Sequence, residues 1–249
     1  LRPWRDRLAR APLGGLVWLD SAVAGPGALS ILAAAPEEII TGNLAGGAES
    51  LQSALSRHCV KSPVGGRAPA GGLFGWIGFD GGFVFGVYPR CLVFDHDSQT
   101  WLDYGGLAGR LADGSRPRLS PPLQFTPLVG REHFLRSVCR AREYIAAGDI
   151  YQVNLACPWS APWSAGADAL GFYERLREVS PAPFGAFIEL AGTRILSASP
   201  ECFLEISGRE ILTKPIKGTR PRFPDDAFLD AQSARDLVRS EKERAELLM

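Results

Sequence analysis

The spacing of apolar side chains changes character along the chain. Residues 1–115 carry short apolar runs broken by turn signals, V-A-G-P-G at 23–27, P-V-G-G at 63–66 and A-D-G-S at 112–115. That texture predicts short strands joined by loops, with no long helix. Between 131 and 147, Phe134, Leu135, Val138, Ala141 and Ile145 follow a helical period, and Gly148 supplies the stop. D-I-Y-Q-V-N-L at 149–155 alternates like a strand. Tyr151, Val153 and Leu155 then share one face, and Gln152 and Asn154 the other. A second helix is expected near 167–179. From 184 to 214 the pattern is strand, turn, strand, repeated, with turns at Ala191-Gly192 and Ser207-Gly208. This predicts an antiparallel meander. Phe228, Ala231, Ala234, Leu237, Val238, Ala245 and Leu248 predict one helix over about 226–249. The fold class expected is α/β (α+β), a layered and largely antiparallel architecture.

The same texture suggests a division into residues 1–115, a linker at 116–130 and a region 131–249. The stretch R-P-R-L-S-P-P-L-Q-F-T-P-L at 116–128 contains four prolines. The glycine-rich G-G-L-F-G-W-I-G-F-D-G-G at 71–82 lacks the spacing of a phosphate-binding loop. Its glycines are better read as letting a strand pack closely or bulge, with Phe74, Trp76 and Phe79 in the core.

Composition narrows the function classes. The 249 residues balance 27 Lys and Arg against 27 Asp and Glu, which gives no field for nucleic acid or a membrane surface. No apolar run reaches the roughly 18 residues of a membrane span, and no signal peptide is visible. Cys59, Cys91, Cys139, Cys157 and Cys202 are widely spaced and odd in number, which reads as reduced thiols of a cytoplasmic protein. His58, His96 and His133 are too dispersed to suggest a metal site. The first residue is not Met and the last falls inside a helical pattern, so the sequence reads as part of a longer chain.

The stretch T-K-P-I-K-G-T-R-P-R at 213–222 holds the chemistry of interest. Lys217 sits in a small, stiff turn: Pro215 fixes φ, and Gly218 lets a ligand approach the backbone. A lysine in a dry turn can become nucleophilic near neutral pH. A solvated loop lysine has the same sequence signature. With a two-residue turn at Ser207-Gly208, Ile206 would oppose Arg209 and Glu201 would oppose Lys214. Glu201 and Lys217 would then share the open end of the hairpin, as acid/base and nucleophile or as a surface ion pair. The amides Gln152 and Asn154 need hydrogen-bond partners, in a structural network or around a polar ligand. Glu243 and Glu246, three residues apart on a helix, form a salt-bridged face or turn one carboxylate to a hard cation such as magnesium.

Taken in order, several motifs resemble the chorismate-utilising enzymes, the group of anthranilate synthase component I and aminodeoxychorismate synthase component I. They are G-D-I-Y-Q-V-N-L, P-A-P-F-G-A-F-I-E-L, L-S-A-S-P-E-C-F, T-K-P-I-K-G-T-R-P-R and S-E-K-E-R-A-E-L-L-M. The likeness is specific from about 131 to 249 and looser before that, where G-L-F-G-W-I-G-F-D-G-G carries it. It implies a layered sandwich of two antiparallel sheets faced by helices. It also implies a role for each matching residue. Lys217 in P-I-K-G-T, where anthranilate synthases carry alanine, marks the branch that aminates chorismate at C4. It would attack C2 as water leaves, and ammonia would then add at C4 and displace it, with Gly218 and Thr219 flanking the substrate. Glu201 would be the general acid/base at the C4 hydroxyl and Glu246 a Mg2+ ligand. Gln152, with Asn154 beside it, stands where the water-using members carry a lysine base, as expected of an ammonia user.

The resemblance implies a glutamine amidotransferase partner, as subunit or fused domain, and a place in 4-aminobenzoate and folate synthesis. It adds tryptophan as a second ligand, near Ser21 in W-L-D-S. Family members continue for about two hundred residues past A-E-L-L-M, with further metal ligands and a carboxylate-gripping arginine, so the piece alone should be inactive. Cys202 stands where arginine is frequent. Two rival readings remain: anthranilate synthase component I, and a non-catalytic module that binds chorismate or tryptophan.

Overall fold

The computed structural model describes residues 14–23, 25–58, 68–111, 122–164 and 166–248. The turn signals at 63–66 and 112–115, most of the proline-rich linker and Cys59 lie outside them. The chain forms two compact units, residues 1–115 with 173–249, and residues 116–172.

In the first unit, β1 (Val17–Asp20), β2 (Leu29–Ala33), β6 (Cys91–Asp95), β7 (Thr100–Tyr104), β10 (Phe184–Leu190) and β11 (Thr193–Ser199) form a six-stranded sheet in the order β11-β10-β1-β2-β6-β7. Every neighbouring pair is antiparallel. A second antiparallel sheet has the order β3-β5-β4, from β3 (Glu38–Asn43), β4 (Gly72–Ile77) and β5 (Gly82–Tyr88). Alternate residues of the two sheets meet in one core. Val17, Ala33, Tyr88, Val93, Ile188 and Leu190 are buried together, and Phe74, Trp76 and Val84 pack against them. Burying side chains of this size supplies about 1.5–3 kcal/mol each.

The glycine-rich stretch is indeed strand. A Cβ on Gly75 would lie 2.0 Å from the Val84 carbonyl oxygen, so only glycine lets β4 approach β5 there. Phe79 is a correction. It stands at the tip of the β4–β5 hairpin, fully exposed, and fills no core.

Helix α1 (Leu44–Arg57) was not expected. Gly46 and Gly47 weaken its propensity, but tertiary contacts override this. Asn43 caps it by accepting from the Ala45 amide at 3.0 Å. Ala54 is wholly buried, in a cluster with Ile40, Phe83 and Val87 against which Leu51 packs.

The turn at Ala191-Gly192 forms as expected, with φ +51° and +78° at its two central residues and Leu190 opposite Thr193. The continuous meander does not. Pro200 carries no N–H for a ladder, and among the described residues β12 (Cys202–Ser207) pairs only with β13 (Glu210–Lys214), as a separate two-stranded sheet. The hairpin register is shifted as well. Gly208, at φ +60°, takes the first central position of the turn, so Ser207 opposes Glu210 and Ile206 opposes Ile211. An irregularity between Cys202 and Glu205 then brings Cys202, not Glu201, opposite Lys214.

The expected terminal helix is two, α4 (Ala227–Arg239) and α5 (Glu241–Leu247). Ser240 is extended, at φ −65° and ψ +116°, and its hydroxyl caps α5 by accepting from the Glu243 amide at 3.5 Å. Phe228, Val238 and Leu248, expected on an apolar helical stripe, are exposed.

The second unit holds α2 (Arg131–Ala147), which ends at Gly148 with φ +81°. It also holds a short ladder of β8 (Thr126–Pro127) with β9 (Trp159–Ser160). Residues 149–155 are a further correction. They form no strand, because no other strand pairs with them among the described residues. Val153 and Leu155 instead line a groove with Ile150 and the α2 side chains His133, Arg140 and Tyr144. Helix α3 (Ala169–Val179) begins where Asp168 accepts from the Leu170 and Gly171 amides.

Among the described residues no helix is long and apolar enough to cross a membrane, and Cys91, Cys139, Cys157 and Cys202 are free thiols. Cys91 is wholly buried, and desolvation with the nearby Asp103 carboxylate pushes its pKa up to about 11. The thiolate is the reactive form. At pH 8, iodoacetamide is therefore expected to modify exposed Cys139 in the native protein and Cys91 only after unfolding. Site-resolved mass spectrometry of a labelling time course checks this; equal native rates would contradict it.

Candidate active site around Lys217

The β12–β13 ladder ends at Lys214, and the chain then turns through Pro215, Ile216, Lys217 and Gly218. Lys217 is half-buried and makes no hydrogen bond or ion pair among the described residues. Glu201, exposed, lies one residue outside the last ladder pair on the opposite strand. The register correction therefore keeps both residues at the open end of the hairpin. The Glu201 carboxylate forms no ion pair among the described residues, while its backbone amide donates to Ser199 Oγ at 3.4 Å.

The chain after Lys217 is fastened to α4 and α5. Gly218 has φ +74°, and a Cβ there would lie 2.7 Å from Glu243 Oε2 and 2.8 Å from Leu237 Cδ1. Arg220 Nη1 donates to the Thr219 carbonyl at 2.8 Å and to Glu243 Oε1 at 3.3 Å. Ser233 Oγ donates to the Pro221 carbonyl at 2.7 Å. Arg222 binds Asp230 through Nε and Nη2 at 2.7 and 2.9 Å, and the Phe223 amide adds a third bond to that carboxylate at 3.0 Å. The Arg222 hydrogen bond, followed by the Phe223 amide, holds the Asp230 pKa below its ordinary value.

Glu243 was expected only as one of two carboxylates on a shared helical face. Its burial and its link to Arg220 were not legible, because they depend on where the turn at 217–220 crosses α5. Glu246 is partly exposed and pairs with Lys242 at 3.5 Å, one helical turn away. No group of three or more His, Cys, Asp or Glu side chains forms among the described residues. Magnesium often needs only one or two protein carboxylates, with water and a substrate anion completing its shell. An exposed-side carboxylate tied only to a surface lysine fits that requirement.

Thr219 is exposed beside Gly218. Gln152 is half-buried and Asn154 exposed, both in the second unit. Ser21 points inward: its hydroxyl lies 3.0 Å from the Leu29 carbonyl and 3.2 Å from the Pro183 carbonyl, and its amide donates to Ser30 Oγ at 3.1 Å.

Comparison with known proteins gives this arrangement a class. The model of the chorismate binding enzyme family matches residues 111–249, and the chain belongs to that family. Anthranilate synthase component 1 of Streptomyces coelicolor is 44% identical over 79% of this chain and 48% of its own length. Aminodeoxychorismate synthase component 1 of Escherichia coli is 34% identical over 80% of this chain and 49% of its own. The chain spans about half the length of these relatives. Anthranilate synthase component I from Streptococcus pneumoniae shares the fold, with a TM-score of 0.68 at 23% identity over 90% of this chain and 59% of that one.

Proposed function

We propose that the intact protein carrying this chain aminates chorismate to 4-amino-4-deoxychorismate, and that Lys217 is its nucleophile. The supporting observation is the lysine itself, in P-I-K-G-T, half-buried and without a partner among the described residues, at the open end of the hairpin that also presents Glu201. Relatives from Escherichia coli and Salmonella typhimurium named aminodeoxychorismate synthase component 1 agree with this branch.

The residues divide the work as follows. The free amine of Lys217 forms a bond to ring C2 while the ring double bonds shift. The C4 hydroxyl leaves as water, taking its proton from Glu201, because hydroxide is a poor leaving group. Ammonia then bonds to C4, the double bonds shift back, the C2–N bond breaks and Lys217 is restored. Chorismate and ammonia thus become the amino product and water. The covalent adduct splits one hard substitution into two easier ones. Gly218 and Thr219 flank the substrate, and Gln152 and Asn154 are proposed for the ammonia side. Glu246 would hold magnesium, which when bound supplies charge neutralisation at the substrate carboxylate. A glutamine amidotransferase would deliver the ammonia.

A second reading has its own support. The Streptomyces coelicolor and Thermus thermophilus relatives, at 44% and 41% identity, are named anthranilate synthase component 1. The deciding experiment incubates the full-length gene product with chorismate, magnesium and an ammonium salt and separates the products by chromatography. A 4-amino product supports the proposal. Anthranilate, the 2-amino product, overturns it.

A further inference from the structure

We infer that helix α4 is the splint of the Lys217 turn and that Asp230 is its positioning residue, acting through Arg222 and the Phe223 amide. This rests on the reading of Lys217 as nucleophile. The Lys217 side chain makes no tie among the described residues, so its location depends on the backbone to either side. Upstream, the ladder stops at Lys214. Downstream, a run of contacts follows one helix. The Gly218 backbone lies against Leu237, where a Cβ would stand 2.8 Å from Leu237 Cδ1. The Pro221 carbonyl accepts from Ser233 Oγ at 2.7 Å. Arg222 grips both oxygens of Asp230, at 2.7 and 2.9 Å, and the Phe223 amide donates to the same carboxylate at 3.0 Å.

Asp230, Ser233 and Leu237 are spaced three and four residues apart, which is one face of α4. The chain meets them in reverse order, Phe223 and Arg222 first and Gly218 last, so chain and helix run antiparallel. From Asp230 to Leu237 the helix rises about 10 Å, a length that the chain from Arg222 back to Gly218 can span. The near corner is fixed as well. The Asp226 amide donates to the Phe223 carbonyl at 3.0 Å, and the Asp226 side chain caps the helix by accepting from the Phe228 and Leu229 amides. Serine is a poor residue for a helix interior, yet Ser233 is buried between exposed neighbours and spends its hydroxyl on Pro221. The ring of Pro221 fixes its own φ and keeps Arg220 extended. Gly218 and Thr219 are then the soft residues left between this anchor and Lys217. Asp230 carries most of the anchor, because a forked guanidinium–carboxylate pair sets direction as well as distance.

The test uses the full-length protein with Asp230→Ala, Arg222→Ala, the double variant, and Asp230→Asn, which keeps an oxygen for the Phe223 amide. Amide hydrogen exchange in peptides covering 214–223 reads the turn without any turnover. Exchange there is expected to quicken roughly tenfold in Asp230→Ala, since local opening follows loss of local ties, while the thermal midpoint of the whole chain stays near wild type. With chorismate, kcat should fall roughly tenfold, because small displacements of a reacting group are costly, with KM within about twofold. Asp230→Asn should recover part of both effects. The double variant should lose little more than Asp230→Ala, because both changes remove one contact. Exchange over 214–223 unchanged in Asp230→Ala would overturn the inference. So would faster exchange with kcat intact, since the strap would then not set Lys217, and so would a loss confined to KM. A kcat loss with a lowered midpoint and faster exchange along the whole chain would make Asp230 a general stabiliser and also overturn it. Should the wild-type protein make no 4-amino product, the reading of Lys217 falls by itself, and exchange over 214–223 still decides whether Asp230 holds the turn.

Discussion

Lys217→Ala in the full-length gene product is expected to lower the rate of 4-amino product formation by roughly a thousandfold or more, the scale on which enzymes lose activity with their nucleophile. The loss should fall on kcat. Without the amine there is no covalent step, and ammonia must displace the C4 hydroxyl in a single unfavourable substitution. Substrate binding should change little, because the proposed function gives the substrate carboxylate to the magnesium that Glu246 would hold and not to Lys217. Folding should be unaffected within about 0.5 kcal/mol, since Lys217 is half-buried and makes no tie among the described residues. Glu201→Gln should also be slow, but a weakly acidic solvent can replace part of an acid's role, so its loss should be the smaller. Product chromatography on both variants, beside thermal unfolding, checks these outcomes. Activity retained in Lys217→Ala with anthranilate as product would make the lysine a loop residue.

The parts of the fold legible in the sequence were those in which local rules act alone. The period of Phe134, Leu135, Val138 and Ile145 with Gly148 marked α2, and Ala191-Gly192 marked a hairpin whose turn geometry is set by its own residues. What failed depended on partners distant in sequence. The alternation at 149–155 is real, yet a strand exists only when another strand satisfies its amides, and none does so among the described residues. Helix α1 was hidden by Gly46 and Gly47, and only the second has a packing reason, set by a residue nearly forty positions away: a Cβ on Gly47 would lie 3.3 Å from the Phe83 ring. The hairpin at 202–214 was recognised but misregistered, because Ser207-Gly208 and Gly208-Arg209 are both plausible turn pairs and only the pairing chooses. The candidate site shows the same division. The placement of Lys217 and Glu201 at one end of the hairpin was legible from spacing. The Arg220–Glu243 link joins residues 23 apart on elements whose packing no local pattern encodes.

Asp20→Ala is expected to destabilise the protein by about 3–5 kcal/mol, the cost of breaking a buried ion pair at one end. The Asp20 side chain is fully buried, and the Arg177 side chain is 20% exposed. Arg177 Nε donates to Asp20 Oδ2 and its Nη2 reaches Oδ1 at 3.4 Å. The Ser30 hydroxyl donates its one proton to Asp20 Oδ1 at 3.2 Å, so the 2.9 Å contact between Ser30 Oγ and His96 requires Nε2 to carry a hydrogen. The cluster thus ties β1, β2, the residue after β6 and helix α3. The Arg177 guanidinium also lies 5.5 Å above the Trp18 ring, and Tyr173 meets Trp18 edge-on. Removing Asp20 strands a guanidinium among apolar rings, whereas removing both charged partners should cost less than the sum of the single changes. Urea unfolding of the single and double variants checks this, and a loss below about 1 kcal/mol for Asp20→Ala would refute it. The same cluster gives a pH dependence. Burial lowers the His96 pKa below 6.5; Asp20 opposes this, Arg177 adds a push in the lowering direction, and Asp95 opposes it less than Asp20 does. The unfolded chain then binds a proton that the folded chain refuses, so stability is lost as pH falls below about 6.5 and the loss levels off once pH passes the folded-state value. His96→Gln should remove that part of the pH slope. A slope between pH 7 and 5 identical in the wild type and His96→Gln would show that the histidine takes up its proton equally in both states.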